Sequence, residues 1–320
     1  GPFRLVTDEP NRKVMEANPD YWAGPPGIAE LTWEFVQDPQ TRLNALLAGQ
    51  ADAIDRVPPQ HLQTIEDRDD LVLTSVTGIE NVNLWVRPGR FELWDTNREF
   101  REAVAWSIDR RALAESLVLG ETRAAESFLP NNALYFQPQE PDFSFDPDRA
   151  ADLLGQAGVA DGGPEFELWV ASGFLPRAEE VVESIRAGME EAGLHPRVVT
   201  TDISGMIDDI FSDDGTGAMY HISWASSGDP HAALGQTIGR GGVWGTDETV
   251  YTLIEQGAAE TDPAERERIY AELQQHLWET MPHVPLYYSD FTIGHTDNLE
   301  DLRVLPNQFE TYFYPARIVE

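Results

Sequence analysis

Between Phe166 and Trp224 the chain alternates short apolar runs with longer stretches in which apolar residues recur at every third or fourth position. FELWVA (166–171) predicts a buried strand, and PRAEEVVESIRAGMEEAGL (176–194) predicts a helix with Val181, Val182, Ile185 and Met189 on one stripe and Gly193 at its end. RVVTT (197–201), ISGMIDDIF (203–211) and AMYHISW (218–224) continue as strand, helix and strand. This alternation predicts right-handed crossovers and a largely parallel sheet. Ligands of such sheets lie in the crevice outside the carboxyl ends of the strands, so SGFLPR (172–177) and ASSGDPH (225–231) form the candidate binding rim.

The same patterning places strands near 2–6, 31–36, 80–86 and 284–288, and helices over 41–49 and 98–108. Asp109 caps a following helix that Gly120 ends, and Asp146-Pro147 opens the helix DRAADLLGQAG after an irregular crossing segment, 120–147. In TDPAERERIYAELQQHLWE (261–279) Asp262 is the cap, Pro263 the first helical residue, and Glu265 completes a capping box. Its inner stripe, Ile269, Leu273, His276 and Leu277, makes His276 a packed, hydrogen-bonded histidine and not a ligand.

Composition then narrows the classes of function. A chain of 320 residues is long enough for two lobes, because single cores stop growing near about 250–300 residues. The 22 basic residues against 56 acidic ones give a net charge of −34, which argues against nucleic acid, whose binding needs clustered cations. Lys13 is the one lysine, so 22 − 1 = 21 arginines carry the remaining positive charge. A dense acidic surface almost without lysine fits a protein working in concentrated salt, where screening shortens self-repulsion to a few ångströms. An acidic pocket for cationic ligands is the rival reading, against which the acids are spread along the whole chain. The chain has no cysteine, hence no disulfide and no thiolate nucleophile, and no apolar run long enough to span a membrane.

SWASSGDPHAALG (223–235) brings Ser, Asp and His close in sequence and raises the question of catalysis. No G-x-S-x-G elbow and no H-E-x-x-H helix occurs, and Asp229 and His231, two apart around a proline, cannot easily turn towards one reacting atom. Nor does GRGGVWG (239–245) have the spacing or the Lys-Ser/Thr ending of a phosphate loop; it reads as a mobile loop that carries Trp244 towards the pocket. Binding without catalysis is the expectation, and no cofactor or metal is implied.

EANPDYW (16–22), DPQTRLNALLAGQADAID (38–55), REAVAWSIDRRAL (101–113), FDPDRAADLLGQAG (145–158) and MPHVPLYY (281–288) resemble, in order and approximate spacing, motifs of the peptide/nickel family of ABC-importer solute-binding proteins. The resemblance covers nearly the whole chain. It implies a two-lobed α/β fold of the type II periplasmic-binding-protein kind, outside the cytoplasm and membrane-anchored in the full-length protein, with a membrane permease as partner. It also implies that a signal peptide, the first strands of the large lobe and a small accessory domain would precede Gly1. Residues 1–115 with 287–320 would then form a partial first lobe, and 116–286 the second, with the ligand enclosed between them. Whether such a protein carries peptides, a metal chelate or another small polar solute, or is a degenerate scaffold, stays open.

In peptide-binding members an acid commonly follows the tryptophan in a pattern like W-x-x-D-x-x-D-P. Here Trp224 is followed by four residues before Asp229-Pro230, so the amine-binding acid is not at its place. The spacing instead resembles the nickel-binding branch, but the position eleven residues beyond His231, where that branch has a histidine, is Gly242. The candidate contacts are Trp224, Ser226, Ser227, Gly228 and Asp229 from one strand end, Gly173 and Arg177 from the other, Asn83 and Trp85 from ENVNLWV, and Trp244. Arg177 is read either as a carboxylate clamp or as a solvated first-turn residue.

Overall fold

The computed structural model describes residues 1–118, 123–159, 163–225, 228–245, 247–305 and 311–319. The chain divides into two compact units, 1–77 with 290–320, and 78–289.

Unit one begins with an antiparallel sheet of β1 (Phe3–Glu9), β2 (Arg12–Ala17) and β3 (Glu30–Glu34), with β2 in the middle. Helix α1 (Pro39–Leu47) starts where Asp38 accepts the Thr41 amide at 2.7 Å, with Pro39 at a first-turn position that needs no N–H. Its Leu43 and Leu46 pack with Ile54 of β4 (Ala53–Asp55), Ile65 of α2 (Leu62–Glu66) and Leu71, which opens the long strand β5 (Leu71–Val86).

The second half of β5 belongs to unit two. There follow α3 (Glu92–Thr96), α4 (Arg98–Trp106), and α5 (Arg110–Ala112) running into a π-helical stretch, Leu113–Val118. Then come β6 (Arg123–Ala124), α6 (Pro147–Gln156), β7 (Glu167–Ala171), α7 (Ala178–Glu191), β8 (Arg197–Thr201), α8 (Ile203–Phe211) and β9 (Met219–Ala225). Helices α9 (Pro230–Leu234), α10 (Glu248–Ala259) and α11 (Pro263–Thr280) precede β10 (Val284–Thr296), which returns the chain to unit one. Unit one closes with two short pairs, β11 (Leu299–Glu300) with β14 (Arg317–Ile318), and β12 (Arg303–Val304) with β13 (Thr311–Tyr312).

The expected alternation 166–224 is present, and β7 pairs in parallel with β8 on one side and β9 on the other. The sheet as a whole is mixed, because β9 pairs antiparallel with β5, and β6 antiparallel with β10. Residues 80–86 hydrogen-bond to 219–225, so the segment 78–115 packs as part of unit two. Its core is one cluster running from Val82 through Phe100, Leu168 and Val181 to Leu273 and Tyr287.

Local signals are met where one side chain answers one amide. Asp109, Asp146 and Asp262 all cap their helices, accepting from Ala112, Arg149, and both Ala264 and Glu265. The capping box at 262–265 is a correction: Glu265 turns to Arg268, and the Asp262 amide is taken by Glu260 Oε1 at 2.8 Å. His276 is half-buried and bonds Asp247 Oδ2 at 3.0 Å, while Gln274 takes the inner position beside Leu273. Gly120 lies outside the described residues.

A largely buried ion pair joins β5's exit to α8. Arg90 reaches Asp209 Oδ2 at 3.0 Å and also donates to the Asp209 carbonyl at 2.9 Å. Burial pushes the Asp209 carboxyl up, but the Tyr220 hydroxyl, the amides of Thr216 and Gly217 and the Arg90 charge outweigh it, and the carboxyl lies below its usual range. A folded-state value below the unfolded one contributes stability above the unfolded pKa, near about 3.9, that is lost as pH falls through the folded value. Asp209→Asn should therefore lose about 2 kcal/mol at pH 7 and flatten the acid limb of the stability curve, measured by urea unfolding between pH 3 and 7. An unchanged acid limb would exclude Asp209 as the responsible group.

Candidate functional site

Antiparallel pairing of β5 with β9 sets Asn81 opposite Trp224, Asn83 opposite Ile222 and Trp85 opposite Tyr220. Side chains of directly opposed residues share a face, so Asn81, Asn83, Trp85 and Trp224 stand on one side of the sheet. They line a recess on that face of the sheet, along β5 and β9, with Ile79, Phe128, Pro130, Ala233 and Leu234 as its apolar wall. About 20 Å3 of it admits the centre of a water molecule, above the roughly 10–15 Å3 that one water needs. No lining side chain among the described residues is charged.

The polar atoms are set by neighbouring backbone. Asn81 Nδ2 donates to the carbonyls of Ser127 (3.3 Å) and Phe128 (3.1 Å), and Asn83 Nδ2 donates to the Asn81 carbonyl at 3.1 Å. Both amide oxygens are thereby fixed as the free ends. Asn81 Oδ1, Asn83 Oδ1 and Trp85 Nε1 are buried and have no hydrogen-bond partner among the described residues.

An aromatic stack backs this wall. The rings of Trp85 and Trp244 lie 4.6 Å apart, and those of Trp224 and Trp244 meet edge-on at 5.8 Å. His283 packs against Trp85 at 4.5 Å; its Nδ1 accepts the Val86 amide at 3.1 Å, which leaves Nε2 protonated towards the Trp244 carbonyl. Burial pushes the His283 imidazole down to about 3, so it is neutral at any physiological pH. The His221 ring, likewise pushed down to about 3 by burial, bonds the Tyr287 hydroxyl at 3.2 Å and does not line the recess.

The structure distributes the predicted residues unevenly. Asn83, Trp85 and Trp224 meet in the recess. Trp244 is fully buried behind them, in a tightly wound turn and not on an extended arm: its amide bonds the Thr237 carbonyl at 3.1 Å. Arg177 sits in the left-handed region (φ 51°) at the start of α7, bonded to Glu180 and, at 2.8 Å, to the Leu117 carbonyl. Asp229 caps α9 through the His231 amide and receives Arg266 on both oxygens at 2.9 and 3.1 Å, so its carboxylate already has its partners within the unit. Gly173 (φ 69°) and Gly228 (φ 81°) are turn glycines, and neither lines the recess. Ser226 and Ser227 lie outside the described residues. The polar lining residue that sequence reading missed is Asn81, whose signal was its place two before Asn83 in an alternating strand; the apolar lining residues Ile79, Phe128, Pro130, Ala233 and Leu234 were missed as well.

This wall is lined by two amide side chains among aromatic and apolar ones. A mixed α/β unit with such a recess on its sheet has the architecture of the periplasmic-binding-protein-like solute receptors. The chain belongs to the bacterial extracellular solute-binding proteins, family 5, whose "Middle" model matches residues 1–244. The glutathione-binding protein GsiB of Escherichia coli (strain K12) is 24% identical over 96% of this chain, and the chain spans 62% of the length of that relative. NikA from Staphylococcus aureus, solved with Ni(L-His)2, superposes with a TM-score of 0.88 at 20% identity, over 100% of this chain and 69% of its own. A dipeptide-binding protein from Pseudoalteromonas in complex with Met-Leu gives 0.87 at 20% identity, covering 100% and 64%. These relatives are binding proteins. No helix among the described residues is long and apolar enough to cross a membrane.

Proposed function

We propose that the protein is the extracytoplasmic solute-capturing component of an ABC importer, taking up a peptide or similar small polar solute and presenting it to a membrane permease. The observation that carries this reading is the recess itself, lined by Trp85, Trp224, Asn81 and Asn83 in a family 5 chain. Capture shifts the protein towards a conformation the permease reads, and no bond is made or broken. The full-length protein is membrane-anchored on the outer side, and its excess of 56 acidic over 22 basic residues keeps it soluble in concentrated salt.

Nickel-chelate delivery is the weaker reading for a steric reason. A Cβ at Gly242, where the nickel branch has histidine, would lie 2.2 Å from the Thr237 carbonyl oxygen, so the turn that buries Trp244 admits no side chain there.

Calorimetry with glutathione, Met-Leu, a nonapeptide and Ni(L-His)2 tests the reading. Trp224→Ala is expected to weaken whichever of these binds by more than tenfold, since a half-buried indole against a ligand contributes a few kilocalories of apolar contact. Unchanged affinity in that variant would remove Trp224 from the pocket.

A further inference from the structure

We infer that Gln274 is a positioning residue for solute capture: from the core of α11 it fixes the segment 125–137, which supplies part of the recess wall. The inference rests on the solute-capture reading and adds to it a residue that does not itself line the recess. The described residues 125–146 form no helix or strand, so their conformation has to be set from outside. Phe128 and Pro130 of this segment line the recess, and the carbonyls of Ser127 and Phe128 receive the side-chain amide of Asn81. Where the segment sits therefore decides both an apolar wall and the orientation of Asn81.

Gln274 is fully buried on the inner stripe of α11, where an amphipathic helix ordinarily carries an apolar residue. Its amide makes all four hydrogen bonds open to it. Oε1 accepts the Ser127 hydroxyl at 2.9 Å and the Gln137 backbone amide at 3.0 Å, and Nε2 donates to the carbonyls of Tyr135 and Tyr270, both at 2.9 Å. A backbone amide only donates and a carbonyl only accepts, so the two ends of the side chain cannot be exchanged. Three of the four partners belong to the segment, one near its start and two at its end, and only Tyr270 is on α11. Tyr288 of β10 adds a second anchor, its hydroxyl accepting the amides of Glu126 (2.9 Å) and Ser127 (3.0 Å). A buried, fully paired amide adds little net stability over an apolar side chain of its shape, but it admits one arrangement of its partners. Without it the Gln137 N–H and the Ser127 hydroxyl lose this acceptor. Regaining bonds to water then means moving the segment outward, and Phe128 and the two carbonyls that hold Asn81 move with it.

Calorimetry of the whole protein with glutathione, Met-Leu, the nonapeptide and Ni(L-His)2 selects the solute to follow in the variants. Gln274→Met keeps the length of the side chain and removes all four bonds; it is expected to weaken that solute by at least about tenfold, the equivalent of one buried hydrogen bond left unmade. Amide hydrogen exchange over 125–137 should quicken in the same variant while that of β7 stays unchanged. Ser127→Ala breaks one of the bonds from the segment's side and should weaken binding by about threefold. Asp209→Asn is the control for lost stability, because the partners of Asp209, among them Arg90, Thr216 and Tyr220, lie outside the segment; it should bind as the parent protein does. A folded Gln274→Met variant that binds within about twofold of the parent, or an equal loss in Asp209→Asn, overturns the positioning role and leaves solute capture standing. If Gln274→Met does not fold, Ser127→Ala decides: unchanged affinity with unchanged exchange overturns the role. Failure of all four solutes to bind the parent protein sinks the capture reading instead, and the exchange over 125–137 then decides separately whether Gln274 anchors the segment.

Discussion

Arg110→Ala should lower the stability of unit two by about 3–5 kcal/mol, from buried carbonyls left unpaired and a cavity left beside them. In the sequence Arg110 follows a cap residue and looks like any first-turn arginine of an acidic protein. In the structure it is 5% exposed, at the meeting point of three separate segments. Its Nη1 donates to the carbonyls of Ala125 (2.8 Å) and Pro285 (3.4 Å), and its Nη2 to those of Phe143 (3.2 Å) and Asp142. The rings of Trp278 and Phe143 lie 5.6 and 6.0 Å from the guanidinium carbon. Burial draws the group down to about 10, offset in part by Asp142, so it remains charged at neutral pH. Alanine leaves four carbonyls without this donor and opens a cavity beside two aromatic rings, and both effects have the same sign. Arg110→Lys should recover only part of the loss, since an ammonium does not present the planar fork that reaches four acceptors. Guanidinium chloride unfolding measures both; a loss below 1 kcal/mol in the alanine variant would show that the junction does not depend on this side chain.

Gly188→Ala should destabilise the protein by about 3 kcal/mol, where the same change in a solvent-facing helix stabilises it by up to about 1 kcal/mol. Gly188 lies in α7 with ordinary helical dihedrals, so its backbone gives no reason for glycine. The reason is its neighbour. A Cβ there would stand 2.2 Å from the carbonyl oxygen of Ser107, at the end of α4, with the Phe145 ring 3.3 Å away. Backbone on both sides leaves no flexible end to move, and relief requires shifting one helix against the other. Gly155, exposed in α6 with nothing within 4 Å of its Cβ position, is the internal control. Gly155→Ala should raise the unfolding midpoint while Gly188→Ala lowers it. Midpoints moving in the same direction would refute the close approach of α7 and α4.

These two positions show where the sequence stops being legible. Its readings at Asp109, Asp146 and Asp262 held because a cap is settled within a few residues, by one side chain and the amides that follow it. Glu265 shows the limit of even that rule: the carboxylate had two partners in reach, and Arg268 on the next turn won over the Asp262 amide. The alternation of 166–224 was equally readable, since apolar periods of 2 and 3.6 are properties of single elements. Asn83 and Trp85 were legible as a pair for the same reason, two apart on one strand.

Composition, periodicity and motif order in this chain determined the class of fold, the membership of a solute-binding family and the strand ends from which a pocket would be built. Tertiary structure alone decided which candidates share that pocket. It gave the Asp229 carboxylate to Arg266 and the Arg177 guanidinium to Glu180 and the Leu117 carbonyl, buried Trp244 behind Trp85, and brought Asn81 in through its register with Trp224. The physical reason is that a charged side chain goes to the strongest partner folding brings within reach. For Asp229 that partner lies 37 residues away, a distance no local pattern encodes.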